Sequence, residues 1–559
     1  MTDFPWYVSY PAGVPHTIDP DSYPNVPSVL DEAAKKFPRR TGYSNLGADL
    51  TYRQAEQLSK DFAAYLQSLP DMKPGDRVAI MMPNLLQYVI AVFGILRAGM
   101  VVVNINPLYT SREVAHTLSD SGAKAIVIIE NFARTVEKAC PGSALKHFIT
   151  TGAGDMLPFP KRQVVNFLIR NVKKMVPAYK LPNEINFRDA LAAGHSAGFK
   201  PVEVTNDSLA FLQYTGGTTG VAKGAELTHR NIVSNILQVS AWISGAFQEG
   251  KETVLTALPL YHVFSLTATL VFTKWAAEMV LITNPRNMDS LAKECIKHDV
   301  SAIIGVNTLF AALLRNKVFT GHKFKRLKFT CGGGAQVQKV VAEGWLKQTG
   351  CPILEAYGLT ECSPAVCGNI PGAPWDGSVG VPISSTEVSI RGEGFRDLGQ
   401  CPEGEDPTPY TGEICVKGPQ VMRGYWKKPE ETAATMRDGW LRTGDVGHMD
   451  HRGVISITDR KKDMIIVSGF NVYPNEVENV IAAMPGVLEV GVTGVSSAKS
   501  GETVKAVIVK KDPALTEEDV KQWCRKELTR YKCPHVIVFV DSLPKTPVGK
   551  ILRRELKDL

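Results

Sequence analysis

The chain has no CxxC pair among its ten cysteines, and its nearest two, Cys362 and Cys367, have four residues between them. In a chain this long, such spacing reads as reduced thiols of a cytosolic protein, without a disulfide framework. The N-terminus, MTDFPWYVSYPAG, lacks both a basic start and an apolar run, so no secretory signal is read. A long uninterrupted apolar run is also missing: the greasiest stretch, from Leu85 to Val103, carries Gln87 and Arg97. It reads as a buried helix followed by a strand, not as a membrane span. No basic run with interleaved aromatics supports nucleic-acid readout, and no internal repeat is visible.

At 559 residues the chain exceeds what one core usually supports, so two or more domains are expected. Apolar residues make up 44% and charged residues 21%, as in ordinary soluble proteins. The net charge of +7 is spread along the chain and suits anionic substrates such as nucleotides.

Apolar, β-branched runs alternate with helical patterns: Arg77 to Met82, Leu85 to Ala98, Met100 to Ile105, Ser111 to Ser121, Ala125 to Ile129. This alternation predicts a parallel sheet with crossover helices. Further strands are expected at Val254 to Leu258, Glu278 to Thr283 and Ser301 to Val306. After about residue 385 the texture becomes glycine-punctuated short strands, a small β-rich subdomain. The charged run DRKKD, Asp459 to Asp463, then precedes a compact α+β segment with a helix from Glu517 to Leu528, opened by a Thr516/Asp519 capping box. The expected organisation is a large α/β domain over 1–458 and a small mobile α+β domain over 459–559, hinged at Asp459.

One segment stands apart. In Lys161 to Lys180 a helical reading puts Val164, Val165, Leu168, Val172, Met175 and Val176 on one face, opposite Arg162, Arg170, Lys173 and Lys174. Such a helix either packs on its own domain or lies on an anionic membrane surface, and the sequence leaves both open.

Residues 214 to 225, YTGGTTGVAKGA, carry the strongest chemical signal. Glycines let backbone N–H groups close around an anion, threonines add hydroxyl donors, and Lys223 adds a cation. The kinase and GTPase P-loop wants a Gly-Lys pair followed by Ser or Thr, whereas Lys223 lies between Ala222 and Gly224. The loop therefore reads as a polyphosphate grip of another kind.

Four blocks downstream complete a pattern: YGLTE (Tyr357 to Glu361), GWLRTGD (Gly439 to Asp445), DRKKDMIIVSGFNVYPNEVE (Asp459 to Glu478) and PKTPVGKILRR (Pro544 to Arg554). In this order, and over nearly the whole chain, they resemble the adenylate-forming acyl-CoA synthetase superfamily. DGWLRTGDVG running into DRKKD is similar to the fatty-acyl-CoA synthetase signature. MMPNLLQY and GILRAGMVVVNINPLYT resemble bacterial long-chain fatty-acid CoA ligases.

The resemblance implies an ATP- and Mg²⁺-dependent ligase that makes acyl-AMP and then acyl-CoA. It implies that Lys550 contacts the α-phosphate and the attacking carboxylate, and that Glu361, helped by Thr215, binds the metal. It sets Thr360 near the phosphates, Tyr357 against the adenine, and the loop residues Tyr214, Thr215, Gly216, Gly217, Thr218, Thr219, Gly220 and Lys223 around the polyphosphate. Gly333 and Gly334 would let backbone approach the adenine, Asp445 would accept from the ribose hydroxyls, and Arg460 and Lys462 would assist from the hinge. Gly469 would leave room for the pantetheine arm of coenzyme A, and His262, in ALPLYHVFSL, would lie near the fatty-acid carboxylate. Ile466 and Leu266 depart from the residues several relatives carry, which leaves the acyl route open. Transfer to a carrier protein is the alternative to free coenzyme A. Chain length and oligomeric state, a homodimer included, are not read from the sequence. The expected location is cytoplasmic, with the inner membrane face as the surface that Lys161 to Lys180 would meet.

Overall fold

The computed structural model describes residues 4–215, 222–467, 470–497, 501–546 and 549–559. Two large sheets with crossover helices form the bulk of the protein. A seven-stranded sheet runs in the order Ile185–Asn186, His147–Thr151, Ala125–Ile129, Arg77–Met81, Val101–Asn104, Leu209–Thr215, Lys223–Thr228. A nine-stranded sheet carries Phe329–Gly333 and Ile353–Gly358 beside Ala302–Gly305, Thr253–Thr256 and Glu278–Leu281, parallel through these five. The expected strands and crossover helices fall in these elements, shifted by a few residues at their ends.

The greasy stretch at Leu85 to Val103 resolves into helix Leu86–Arg97 and strand Val101–Asn104. All twelve helical residues are buried, because the helix touches strands of both large sheets. A helix apolar on every side suits that place. Among the described residues no helix is long and apolar enough to cross a membrane.

A five-stranded, glycine-punctuated sheet follows, in which Trp440–Met449 pairs antiparallel with Ile455–Arg460. Asp445 stands opposite Arg460 and Val446 opposite Asp459 in that ladder. A last five-stranded sheet, centred on Val487–Ser497 and Gly501–Lys510, belongs to the smaller C-terminal domain. It has its own core, including Ile465, Val472, Val477, Ile481, Val492, Ala506 and Val520. Thr516 caps Glu517–Glu527 through the expected reciprocal box with Asp519, and Val520 and Cys524 face inward.

The segment at 161–180 differs from a single amphipathic helix. It forms a short helix, Lys161–Phe167, then one wider turn, Leu168–Val172, and beyond that no regular element. Arg170 does not face solvent alone, because its guanidinium pairs with the buried Glu130 carboxylate at 2.7 Å. Much of the apolar face points outward: Val164, Phe167, Leu168, Val172 and Met175 are exposed, and so is nearby Phe159.

Candidate active site

The hairpin that carries the glycine-threonine loop is rooted in antiparallel strands, with Thr215 directly opposite Lys223 and Tyr214 opposite Gly224. Gly216, Gly217, Thr218, Thr219 and Gly220, between these roots, lie outside the described residues, as does Gly469. The Thr215 hydroxyl donates to the Lys223 carbonyl at 3.4 Å. The Tyr214 hydroxyl donates to Asp120 at 2.6 Å.

At the C-terminal end of strand Ile353–Gly358 the chain enters the short turn Thr360–Cys362, which presents Thr360 and Glu361. Tyr425 donates to Glu361 Oε1 at 2.6 Å, and the Met422 N–H donates to the Glu361 carbonyl at 2.7 Å. Four residues before Glu361, the buried Tyr357 donates its hydroxyl to Asp445 Oδ2 at 2.7 Å. Asp445 Oδ1 faces Arg460 Nε at 3.0 Å. Tyr357, Asp445 and Arg460 thus form one chain of contacts across two sheets, and the Asp445 carboxylate pushes the Arg460 pKa further up.

The small domain reaches this site through its last loop. The Lys550 N–H donates to Thr546 Oγ1 at 3.0 Å and the Thr546 N–H to the Lys550 carbonyl at 2.7 Å, so these two residues are tied to each other. A Cβ added at Gly334 would lie 3.2 Å from Lys550 Cε and 3.6 Å from Nζ. Gly334 has φ +77°, so only a glycine both turns there without strain and lets the lysine lie over the backbone. Next along the loop, Gly549 (φ +83°) abuts helix Asn307–Arg315, where Thr308 donates to the Gly549 carbonyl at 3.4 Å. Gly333 is equally confined, with an added Cβ 3.0 Å from both the Ala356 carbonyl and Phe264.

Burial and the neighbouring Arg460 bring the Lys550 pKa down to about 8, with Lys462 acting in the same sense. Asp445 and Glu361 act in the opposite sense. His262 caps helix Val263–Lys274, its Nδ1 accepting from the Phe264 N–H at 3.4 Å. Burial, reinforced by the charge of Lys550, holds the His262 pKa at about 3, so the imidazole is neutral. Leu266 is buried one turn along that helix, while Ile466 is 48% exposed on the small domain.

Arg553, three residues beyond Lys550, clasps the segment around Asp459. Its guanidinium binds Asp459 Oδ1 at 2.9 Å, Glu478 Oε2 at 2.8 Å and Asp463 Oδ2 at 3.4 Å, and also meets Asn475 Oδ1. Asp459 Oδ2 accepts from the Asn475 N–H at 2.8 Å. The Asp459 backbone therefore sits in the ladder of the glycine-punctuated sheet while its side chain is fastened to the small domain. Sequence reasoning did not single out Tyr425 or Arg553. Arg553 stands inside the PKTPVGKILRR block with no role attached to it, and Tyr425 stands in RGYW without a local signal.

A family model for the AMP-binding enzyme matches residues 30–426, and one for the AMP-binding enzyme C-terminal domain matches residues 476–550. A protein of Escherichia coli O6:H1 named long-chain-fatty-acid–CoA ligase is 52% identical over 99% of this chain and 98% of its own length. A protein of Haemophilus influenzae with the same name is 48% identical, with the same coverage of both chains. The crystal structure of an anthranilate CoA ligase in complex with anthranoyl-AMP superposes with a TM-score of 0.84 at 22% identity, covering 97% of this chain and 98% of that one. The last of these speaks to the fold alone. The chain belongs to the AMP-binding enzyme family, with that family's large α/β domain and smaller C-terminal domain.

Proposed function

We propose that the protein is a long-chain fatty acid–CoA ligase that uses ATP and forms AMP. The carboxylate of a fatty acid attacks the α-phosphorus of ATP; a carboxyl–phosphate bond forms, the bond to the β-phosphate oxygen breaks, and pyrophosphate leaves. The thiol of coenzyme A, losing its proton, then displaces AMP from the acyl carbon. Full-length relatives named for this activity support the reading. The observation that carries it at the site is Lys550, delivered by the last loop of the small domain over Gly334 and within the field of Glu361 and Asp445.

The first step brings an anion against a polyanion, so cations and aligned donors must offset the repulsion. Lys550, charged below about pH 8, bridges the α-phosphate and the incoming carboxylate. Neutral His262 has its Nδ1 engaged by the Phe264 N–H, which assigns the proton to Nε2 and makes that nitrogen a donor to the carboxylate. Lys223 and the glycine-threonine loop hold the β- and γ-phosphates, with Thr360 beside them. Asp445 reads the ribose while Arg460 and Lys462 assist, Tyr357 lies against the adenine with its hydroxyl on Asp445, and Gly333 and Gly334 let the adenine close on the backbone. Rotation at Asp459 of a small domain spanning 459–559 would withdraw Lys550 and bring Gly469 to the site, opening room for pantetheine.

No group of three or more His, Cys, Asp or Glu side chains that could hold a metal occurs among the described residues. A single carboxylate fits Mg²⁺, which is usually held by one or two protein oxygens with substrate phosphates and water. Glu361 would hold it, helped by Thr215, and the ion would offset phosphate charge. Lys550→Ala is expected to abolish fatty-acid-dependent ATP–pyrophosphate exchange and to spare conversion of supplied acyl-AMP to acyl-CoA. Loss of both half-reactions in a folded variant would refute the two-orientation mechanism. AMP release over a series of acyl chain lengths, with and without coenzyme A, tests substrate and acceptor together.

The exposed face at 159–175 supports a second reading, contact with an anionic membrane surface by a cytosolic protein. Phe159 is 78% exposed, Phe167 59% and Val172 60%, with Lys161, Arg162, Lys173 and Lys174 around them. A soluble surface seldom gathers so many large apolar side chains in one short segment. Salt-sensitive binding to vesicles containing phosphatidylglycerol is expected. If Phe167→Ser/Val172→Ser with Lys173→Gln/Lys174→Gln bound equally well, this contact would be ruled out.

A further inference from the structure

We infer that Tyr425 is a positioning residue for the adenylation half-reaction: its hydroxyl fixes the Glu361 carboxylate while its ring holds the Lys223 ammonium. The inference rests on the ligase reading and deepens it. Tyr425 donates to Glu361 Oε1 at 2.6 Å, and Lys223 Nζ lies 4.8 Å from the centroid of the same ring. One side chain thus touches both the acid assigned to the metal and the cation assigned to the phosphates.

The backbone around Tyr425 gives it little freedom. Its segment runs as an added edge along strand Lys223–Thr228, with Ala225 bridged to Tyr425. The Trp426 N–H donates to the Gly224 carbonyl at 2.8 Å, the Glu226 N–H to the Gly424 carbonyl at 2.9 Å, and the Arg423 N–H to the Glu226 carbonyl at 3.0 Å. The Tyr425 N–H itself donates to Thr432 Oγ1 at 2.9 Å. Glu361 is tied to the same segment a second time, through its carbonyl and the Met422 N–H. Loop root, tyrosine and acid are therefore tied to one another through backbone and side-chain hydrogen bonds.

The arrangement answers a hazard of the site. Glu361 lies in the field of Lys550, and a carboxylate free to rotate would pair with that ammonium. Such a pair would remove a metal ligand and the catalytic cation together. A short hydrogen bond to Tyr425 holds the carboxylate against that side chain instead, and the aromatic face gives Lys223 a resting place that an incoming phosphate can outbid.

The test compares Tyr425→Phe, which removes the hydroxyl and keeps the ring, with Tyr425→Leu, which removes both. Fatty-acid-dependent ATP–pyrophosphate exchange is measured against Mg²⁺ and against ATP. Mn²⁺ binding with a non-hydrolysable ATP analogue is followed by electron paramagnetic resonance, and thioester formation from supplied acyl-AMP is measured separately. Tyr425→Phe is expected to raise the Mg²⁺ needed for half-maximal exchange, and to weaken Mn²⁺ binding, by about tenfold, the size of one hydrogen bond to a charged group. Tyr425→Leu is expected to add a several-fold rise in the KM for ATP, and both variants keep the thioester step. Unchanged metal dependence in Tyr425→Phe, or equal damage to both half-reactions, overturns the role of Tyr425. A wild-type protein with no exchange activity at all overturns the ligase reading itself.

Discussion

Adenylation should fail at alkaline pH because Lys550 loses its charge at about pH 8, well below the ordinary lysine value of 10.5. Burial is the main cause, and Arg460 adds to it. At pH 7 about nine-tenths of the free enzyme carries the ammonium, at pH 8 about half, and at pH 9 about a tenth. The kcat/KM of ATP–pyrophosphate exchange should therefore fall roughly tenfold per pH unit above pH 8, since that ratio reports the free enzyme. Bound ATP adds negative charge beside the lysine, so the limb in kcat should lie at higher pH than the limb in kcat/KM. Thioester formation from supplied acyl-AMP should hold or rise over the same range, because it uses a thiol whose ionisation increases with pH. His262, neutral above about pH 3, adds no acidic limb in the working range. The same depression has a sign for stability: between about pH 8 and 10.5 the unfolded chain binds more protons at this site than the folded one. The cost of burying the lysine is thus full below pH 8 and is relieved as pH rises through that window. An exchange profile flat to pH 10 would contradict the burial of Lys550 beside Arg460 on which the argument depends.

Gly549→Ala places a methyl 2.4 Å from Thr308 Oγ1 at a backbone of φ +83°, a left-handed conformation that costs a non-glycine residue about 1–2 kcal/mol. Exchange should fall at least tenfold while the thioester step survives, and Thr308→Gly should restore part of the loss; absence of rescue would sink the contact. Arg553→Met should destabilise the small domain by about 3–5 kcal/mol, since it leaves the carboxylates of Asp459 and Glu478 buried without their cation. Urea unfolding followed by hydrogen exchange of the small-domain strand Gly501–Lys510 checks this, and an unchanged midpoint would show that the clasp is not a stabilising feature.

The fold was largely legible because its signals are local. Helix Ser111–Ser121 and strand Ala125–Ile129 fall at their expected bounds, each declared by its own periodicity or cap. The run at 161–180 was less legible, because its apolar face promised a partner that the fold does not supply. Periodicity records which residues share a face and not whether anything covers it. Arg170 makes the same point: its attachment to Glu130 joins residues 40 apart in sequence, and no local pattern announces it.

The site divides along the same line. Lys550, Glu361 and Asp445 were readable because each stands in a dense motif of glycines and polar residues. The relation between them was not readable, since Gly334 and Lys550 are more than two hundred residues apart and meet only when the small domain folds onto Thr308. Tyr425 was unreadable for a sharper reason: a tyrosine after Arg-Gly serves equally well as filler in a turn. What distinguishes it is a hydroxyl 2.6 Å from Glu361 and a ring 4.8 Å from Lys223, both set by a segment whose single bridge pairs Tyr425 with Ala225. The groups that would meet ATP advertise themselves, whereas the groups that hold them do not. Supporting residues of this site should therefore be sought along the backbone ladders that brace its motifs, and the metal dependence of Tyr425→Phe is the direct measure of whether that inference holds.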